Sequence, residues 1–538
     1  MDIGSTQRKY APLLIALLLI SLCLKLYYVD KYATYTDEIL SSIVAKAIAE
    51  SGIPRLPSGS LYPRAPLHHY ILAIPIGLFG LNYTSMRISS IIFSLLTILI
   101  TYLLGVQIAS RRIAFIAALL LASSSLFNQV SLSGRMYMTY TFFFTLTLYY
   151  FYKGFIKGDS ISKILSIFAM SAAMLCSKTG VALGPILGFL LCVSHKNKWL
   201  RDGIAVSGFL IWIILAYFVM LYRIPGEFDP FTVHSGVKQY TFISLELPLK
   251  ENIINLSYPW RALDACLPFA MALLLAATVQ IIRKRQFNHH FALLALLPTL
   301  IIFTLLTYRV QYRIMVSLLP IYFLACCSLA SHLIKSLPVR FKLKAPSMAT
   351  QNLSLKVSLF SLTIFILFSA GIAYSKHISS IDDLISYYSQ AFGYHDARAE
   401  ENPEPAYLYL RKYAKSKDII IQTTLEYGYF FLGTSHDYYY LRQKQKVDEY
   451  GHNYYTSFGK PTDPYYARPI IDSQDKLKNI LLSMDTKIWC VLGPKSLSYL
   501  GPQLNEFIKE SFQLEFNAFN ETRTNLYIYS PKSKNDSL

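Results

Sequence analysis

Residues 88 to 108 read Ile-Ser-Ser-Ile-Ile-Phe-Ser-Leu-Leu-Thr-Ile-Leu-Ile-Thr-Tyr-Leu-Leu-Gly-Val-Gln-Ile, and the basic pair Arg111-Arg112 follows shortly afterwards. A helix needs about 20 mostly apolar residues to cross about 30 Å of hydrocarbon. This run has that length and carries no charged side chain. It therefore predicts a transmembrane helix that ends in a basic loop.

Ten further runs have the same character, so the sequence predicts a polytopic α-helical membrane protein with about eleven transmembrane helices. The composition agrees, because only 15% of the 538 residues are charged, against about a quarter in soluble domains. The other predicted spans are 12–29, 113–131, 136–153, 162–177, 179–194, 204–221, 263–283, 291–307, 313–334 and 357–375.

Composition also excludes several classes of protein. The seven cysteines show no Cys-x-x-Cys or Cys/His spacing, which argues against a zinc or redox protein. The net charge of +19 would suggest a nucleic-acid partner in a soluble chain. In a membrane protein it is typical of basic cytoplasmic loops, so no nucleic-acid partner is expected.

The loop charges predict the direction of the spans. By the positive-inside rule, short basic connections face the cytoplasm. Between Lys9 and Arg111 the chain must then cross an even number of times, so the apolar run 66–81 is expected to form an interfacial or re-entrant helix rather than a span. The six basic connections are Arg8-Lys9, Arg111-Arg112, Lys153–Lys163, Lys196–Arg201, Arg283–Arg285 and Lys335–Lys356.

This topology predicts which segments lie outside the cytoplasm. They are the loops 30–87, 131–135, 222–262 and 308–313, the corner at Lys178, and everything after residue 375.

The chain after residue 375 differs from the rest because it is polar and rich in tyrosine. Short strand-like runs alternate there with helix-like ones such as Ser496–Phe512. We therefore expect a transmembrane part over 1–375 and an extracytoplasmic α/β domain over 376–538. The predicted strands are Asp418–Gln422, Lys487–Leu492 and Leu526–Tyr529.

An acidic pair, Asp37-Glu38, follows the first predicted span and opens an amphipathic helix that ends at Gly52. Its apolar face, with Ile39 and Ile43, is expected to lie on the membrane surface. On local physics alone, the favoured interpretation is that the acids stabilise the helix N-terminus. The alternative is a carboxylate that takes part in chemistry.

Single basic residues stand at the predicted outer corners, against the topological bias. Each could be an anchor that reaches the lipid headgroups. Several of them on one side with an acidic pair instead suggest an anion-binding cavity beside a carboxylate. This suits a lipid-linked phosphosugar, whose departing phosphate needs cations and whose acceptor hydroxyl must lose a proton. The candidate residues are Arg64, Arg135, Lys178, Arg309, Tyr312 and Arg313.

A metal requirement stays open at this stage. Glu38, His68 and His69 offer ligand atoms but show no diagnostic spacing. No cofactor is certain, and the chain shows no glycine-rich phosphate loop of the kind that binds nucleotides.

Taken in their order along the chain, the motifs resemble those of the polyprenyl-phosphate-sugar-dependent glycosyltransferases of the C-type membrane fold. This group includes protein O-mannosyltransferases and the lipid A aminoarabinose transferase. The resemblance covers roughly residues 10–335. The matching motifs are Asp37-Glu38, Tyr62-Pro63-Arg64-Ala65-Pro66-Leu67, Phe79-Gly80-Leu81-Asn82 with Arg87, the corner at Arg135, Ser177-Lys178-Thr179-Gly180, and Tyr312-Arg313 with Pro320.

The resemblance implies a role for each matching residue. Asp37 would be the catalytic base with Glu38 in support, and Arg64 would contact the lipid phosphate. Lys178 matches a lysine–glycine corner, and Arg309, Tyr312 and Arg313 match a basic, tyrosine-containing helix start. The chain departs from the family at Ala65, which separates Arg64 from Pro66, and at the Arg135 corner, which lacks an acidic residue.

The predicted function is an inverting glycosyltransferase in the plasma membrane of a prokaryote. It would move one sugar from a polyprenyl-phosphate carrier to a lipid, glycan or protein acceptor on the outer face. The main alternative is a membrane saccharide ligase or polymerase that uses a lipid-linked donor. A transporter is less favoured, because the unusual charges lie at the ends of spans rather than at their centres. A sensor or adhesion protein is less favoured because it would not need the acidic and basic corners.

Overall fold

The structure is a computed structural model, and it describes thirteen parts of the chain. They are residues 3–30, 34, 36–195, 202–221, 290–306, 312–340, 403–434, 436–441, 466, 468–492, 500, 502–517 and 525–530. The predicted spans 263–283 and 357–375 lie outside these ranges, as do most residues of the basic connections Lys196–Arg201, Arg283–Arg285 and Lys335–Lys356.

Most of the described residues before position 341 lie in helices, and most of these helices are apolar. Three of them are long and apolar enough to cross a membrane, namely Tyr10–Tyr28, Tyr83–Ile108 and Arg313–Ser331. The helices are α1 (Ile3–Tyr28), α2 (Thr36–Ser51), α3 (Pro66–Phe79), α4 (Tyr83–Ile108), α5 (Arg111–Ser123), α6 (Ser125–Ser131), α7 (Tyr137–Phe151), α8 (Ser160–Cys176), α9 (Leu183–His195), α10 (Gly203–Leu221), α11 (Phe291–Leu306), α12 (Tyr312–Met315) and α13 (Leu319–Arg340).

One predicted span is not a single straight helix. Residues 113–131 form α5 and α6, which meet at an angle of 63°. Ser124 has the extended backbone angles φ −66° and ψ 124° between them, and serine pairs such as Ser123-Ser124 are among the few places where sharp helix kinks occur. The predicted span 113–131 is therefore a bent pair of helices, and whether the pair crosses the membrane stays a prediction.

The short apolar run before α4 forms helix α3, which has 14 residues, fewer than the about 20 that cross the hydrocarbon. Its interfacial position stays a prediction. The α3 residues Leu72, Ala73 and Ile76 pack with Val44, Ala45 and Ile48 of α2. The two helices therefore form a pair that leads into α4.

The expected position of the apolar face of α2 is wrong. Ile39 is fully buried and Ile43 nearly so, and both belong to one apolar cluster with Tyr407, Leu410 and other residues of the C-terminal part. Protein, rather than a membrane surface, covers this face. Periodicity identified the apolar stripe but not the element that packs on it.

Among the described residues after position 403, six strands form one mixed sheet with the order β3-β2-β1-β4-β6-β5. The first four strands in this order run parallel, and β6 pairs antiparallel with β4 and β5. The strands are β1 (Ile419–Gln422), β2 (Asp437–Leu441), β3 (Ile470–Ile471), β4 (Ile488–Leu492), β5 (Gln513–Asn517) and β6 (Asn525–Tyr529).

Helices pack on both faces of this sheet, because alternate residues of a strand point to opposite sides. Ile420 packs with residues of α14 (Glu404–Tyr413) and α15 (Leu425–Leu432). Ile421 packs with residues of α16 (Gln474–Ser483) and α17 (Pro502–Ser511). The strands predicted at 418–422, 487–492 and 526–529 are confirmed within one residue at each end.

Candidate active site

Asp37 lies in the first turn of α2 with its carboxylate between two arginines from distant elements. The Asp37 Oδ2 atom is 3.5 Å from Nη2 of Arg135, in the corner before α7, and 3.6 Å from Nη1 of Arg313, in α12. The Asp37 side chain is 51% exposed, so these cations do not close it off. A ligand can therefore reach the carboxylate directly.

Arg135 also fixes the backbone around Asp37. Its Nη1 donates to the carbonyl oxygen of Asp37 at 2.7 Å and to the hydroxyl of Ser41 at 2.9 Å. The arginine is 8% exposed. It therefore ties the start of α2 to the start of α7 while its second amino group faces the carboxylate.

The surrounding charges keep Asp37 ionised. The Arg135 guanidinium lowers the pKa of the Asp37 carboxyl below its ordinary value, burial opposes this shift, and Arg313 and Arg64 lower the pKa further. Two arginines lie against the carboxylate and the charge of a third acts on it, so the site carries a surplus of positive charge. That surplus suits an anionic ligand.

Glu38, the second member of the acidic pair, lies in a different environment. It is fully buried. Its Oε1 accepts from Nε of Arg87 at 2.8 Å and its Oε2 from Nη2 at 3.1 Å, a two-point ion pair. Oε1 also accepts from the backbone N–H of Gly134 at 2.7 Å. Glu38 therefore joins α2 to α4 and to the corner that carries Arg135, and it does not face the open site.

The corner at Gly134 admits no side chain. A Cβ atom there would lie 2.5 Å from the carbonyl oxygen of Met86 and 3.2 Å from Glu38 Oε1. His68 of α3 holds the same corner from the other side, with Nε2 3.3 Å from the Gly134 carbonyl oxygen and Nδ1 3.2 Å from the Thr139 hydroxyl. Burial lowers the pKa of His68 well below its ordinary value, which favours a neutral ring.

Arg64 precedes α3 in a rigid turn. Ala65 adopts left-handed backbone angles, with φ 43° and ψ 49°, a conformation that costs a non-glycine residue about 1–3 kcal/mol. The ring of His69 lies over the turn, with Nδ1 3.0 Å from the Ala65 carbonyl oxygen. The half-buried Arg64 is thus held at a fixed place, and its charge acts on Asp37.

The structure brings several of the predicted site residues together. Arg64, Arg135 and Arg313 act on Asp37, whereas Lys178 begins the 3-10 helix Lys178–Ala182 and is half-buried there. Tyr312 begins α12, but its side chain is not described. Arg309 lies outside the described residues.

The open question of a metal can be tested only where the structure describes side chains. Within those ranges, no group of three or more His, Cys, Asp or Glu residues is placed to hold a metal ion. Both histidines are instead buried, with ring nitrogens on the backbone oxygens of Gly134 and Ala65.

Two contributors to this site were not singled out from the sequence. In the sequence, Arg87 was noted only as the end of a motif. It is nevertheless a cation at the fifth position of a 26-residue apolar helix, and such a position indicates a buried partner. Thr34 accepts from Nη2 of Arg87 at 3.0 Å and has no comparable signal. Its role depends on contacts that only the fold creates.

The chain is similar in sequence to one protein family and in fold to several solved structures. Residues 63–222 match the model of the family described as dolichyl-phosphate-mannose-protein mannosyltransferase. The chain is also similar to the crystal structure of ArnT from Cupriavidus metallidurans bound to undecaprenyl phosphate. The TM-score is 0.63 with 13% identity, over 97% of this chain and 99% of that one. The chain has the C-type glycosyltransferase membrane fold.

Other proteins share this fold or part of the sequence. The archaeal oligosaccharyltransferase AglB from Archaeoglobus fulgidus, in complex with an inhibitory peptide and a dolichol-phosphate, matches with a TM-score of 0.51 and 12% identity, over 90% of this chain and 70% of that one. An uncharacterized protein of Aquifex aeolicus is 26% identical over 162 residues, which are 30% of this chain and 32% of the relative. The chain thus matches about a third of that relative's length.

Proposed function

We propose that this protein is an inverting glycosyltransferase that moves a sugar from a polyprenyl-phosphate carrier to an acceptor hydroxyl, with Asp37 as general base. The observation that carries the proposal is the half-exposed, ionised Asp37, on which arginines from three separate elements act. The similar ArnT and AglB structures hold undecaprenyl phosphate and dolichol-phosphate respectively, which supports a carrier of this chemical class.

The chemistry follows from the charges. The acceptor oxygen attacks the anomeric carbon, the bond from that carbon to the phosphate oxygen breaks, and the polyprenyl phosphate leaves with the electron pair. The leaving group changes from a diester with one negative charge to a monoester with about −1.5 to −2. The arginines therefore stabilise the products of the step more than its reactants, which lowers the barrier.

Asp37 accepts the proton of the acceptor hydroxyl. A carboxylate with a lowered pKa is a weak base, but it is always ionised at neutral pH. The hydroxyl becomes strongly acidic as its oxygen bonds to carbon, so a weak base suffices when the proton moves late. A single displacement of this kind inverts the anomeric centre.

The proposal also covers location and organisation. The basic loops favour a multi-pass protein of the prokaryotic plasma membrane with about eleven spans, in which Asp37 opens to the outer side. Residues 1–375 would form the transmembrane part and residues 376–538 an extracytoplasmic α/β domain. The acceptor would then be a lipid, glycan or protein outside the cytoplasm.

The test is transfer of a labelled sugar from a panel of polyprenyl-phosphate donors by the full chain in membranes. Wild type should transfer label from at least one donor with inverted configuration, and Asp37→Asn should not. Asp30→Asn, which alters an exposed acid seven residues upstream, serves as the control and should behave as wild type. Transfer of labelled sugar by Asp37→Asn would contradict the proposed role of Asp37 as the general base.

A second candidate is a ligase that transfers a preassembled glycan, which the likeness to an oligosaccharyltransferase supports. The same assay decides it when single-sugar and oligosaccharide donors are compared. Transfer from oligosaccharide donors alone would favour the ligase, and transfer from single-sugar donors would favour the first proposal.

A further inference from the structure

The C-terminal sheet reaches the candidate active site through helix α15. Tyr427 of α15 donates its hydroxyl to the carbonyl oxygen of Thr34 at 2.9 Å, although 393 positions separate the two residues. Thr34 lies three residues before Asp37. The Tyr427 ring is held in place, because it stacks with Tyr407 and Phe431 at centroid distances of 6.2 and 6.4 Å.

A residue of helix α4 also binds Thr34. The Thr34 hydroxyl accepts from Nη2 of Arg87 at 3.0 Å, and the guanidinium of Arg87 lies 5.5 Å from the ring of Tyr83 at the start of α4. The Tyr83 ring in turn lies 6.5 Å from the ring of Phe431 in α15. Thr34 is therefore a junction between the sheet's helices and the buried Glu38–Arg87 pair.

Apolar contacts surround this junction. Ile39 and Ile43 of α2 are buried in one cluster with Tyr407 and Leu410 of α14. The ring of Tyr83 lies 5.5 Å from that of Phe430. These contacts limit the access of water to the hydrogen bonds of Thr34. The first turn of α2 is thus held by α4 on one side and by α14 and α15 on the other, while the Asp37 carboxylate stays exposed.

We infer that the C-terminal sheet is part of the catalytic machinery's framework, and that Tyr427 is a positioning residue that acts through Thr34 to hold Asp37 in place. The inference rests on the proposed function and deepens it. A domain that only binds the acceptor would not need a hydrogen bond to the backbone of Thr34, which lies three residues before the proposed base Asp37. Correct positioning of the base governs the chemical step more than the affinity for the donor.

The experiment compares Tyr427→Phe with Tyr409→Phe in the full chain. The first variant removes the hydrogen bond to Thr34 and keeps the stacked ring. The matched control removes the bond from the Tyr409 hydroxyl to Glu515 Oε1, which is 2.7 Å long and joins α14 to β5 rather than to Thr34. One hydrogen bond is worth about three- to tenfold in rate, so Tyr427→Phe should lower kcat by about that factor and leave the donor KM within about twofold. The control should change neither.

A second readout needs no activity. Hydrogen exchange of the backbone amides at the start of α2 should become faster in Tyr427→Phe and remain unchanged in Tyr409→Phe, because only the first variant loosens Thr34. In a double-mutant cycle, Tyr427→Phe and Thr34→Val should be non-additive in kcat, because each removes one of the hydrogen bonds that hold Thr34.

The outcomes separate the two proposals. If wild type transfers sugar but Tyr427→Phe equals the control in kcat and in exchange, the positioning role is wrong. If wild type transfers no sugar from any carrier while exchange at α2 rises only in Tyr427→Phe, the proposed function fails and the docking of the sheet on α2 stands.

Discussion

Asp37 and Glu38 are neighbours in one helical turn, and their surroundings are opposite. Asp37 is 51% exposed and lies 3.5–3.6 Å from two guanidinium groups. Glu38 is fully buried, with an ion pair to Arg87 at 2.8 Å and a bond from the Gly134 backbone. One carboxylate is open to solvent and the other fastens three elements together.

The difference follows from helical geometry. Successive side chains of an α-helix point about 100° apart, so adjacent acids reach different faces of α2. The face with Glu38 meets α4 and the Gly134 corner, whereas Asp37 meets the charged opening. An acidic pair in sequence is therefore two sites with different chemistry, and substitutions can separate them.

The largest expected effect is on stability at Glu38. Glu38→Gln removes the charge that pairs with the buried Arg87, and loss of one member of a buried ion pair costs about 3–5 kcal/mol. Thermal unfolding of the purified protein should show a much lower midpoint.

Glu50→Gln is the matched control for Glu38→Gln, on the same helix. Glu50 is 65% exposed and pairs with Lys46 at 3.7 Å, and an exposed pair is worth at most about 1 kcal/mol. Equal midpoints for the two variants would show that Glu38 is not the fastening residue described here.

A smaller effect is expected on the Asp37 side, at Arg64. Arg64→Gln should raise the donor KM about tenfold with a smaller change in kcat, because it removes one charge-assisted contact to the phosphate. Steady-state kinetics with the donor identified for wild type measures this. Arg55→Gln, which alters an exposed arginine of the same loop, should leave the KM unchanged. An equal rise in both variants would indicate a loss of general surface charge.

The smallest expected effect is a shift in pH dependence. Because Arg313 helps to lower the pKa of Asp37, Arg313→Gln should raise that pKa. Activity needs the ionised carboxylate and is lost as the pH falls through this pKa, so the acid limb of kcat should move to higher pH. A limb that stays in place would exclude Asp37 as the group that titrates.

Local patterns in the sequence predicted much of this arrangement. The apolar run 88–108 lies inside α4, and the short run 66–81 forms α3, because length and hydropathy are properties of the local chain. The acidic pair was placed at the start of its helix for the same reason. The kink at Ser124 was not predicted, since a pair of serines inside an apolar run is a weak signal.

The partners of these elements could not be predicted from local patterns. The pairs Glu38–Arg87 and Tyr427–Thr34 are 49 and 393 positions apart, and no periodicity encodes contacts over such distances. The apolar face of α2 was assigned to the membrane for this reason. Its cover, the helices of the sheet, becomes visible only when the chain is folded.

The central claim is that Asp37 serves chemistry and Glu38 serves structure. The most direct measurement is the single-turnover rate of sugar transfer per folded molecule, in Asp37→Asn and Glu38→Gln side by side, with thermal unfolding of both. The account predicts that Asp37→Asn loses about 10²- to 10⁴-fold in rate at near wild-type stability, while folded Glu38→Gln loses stability and retains transfer. Full transfer by folded Asp37→Asn would contradict it.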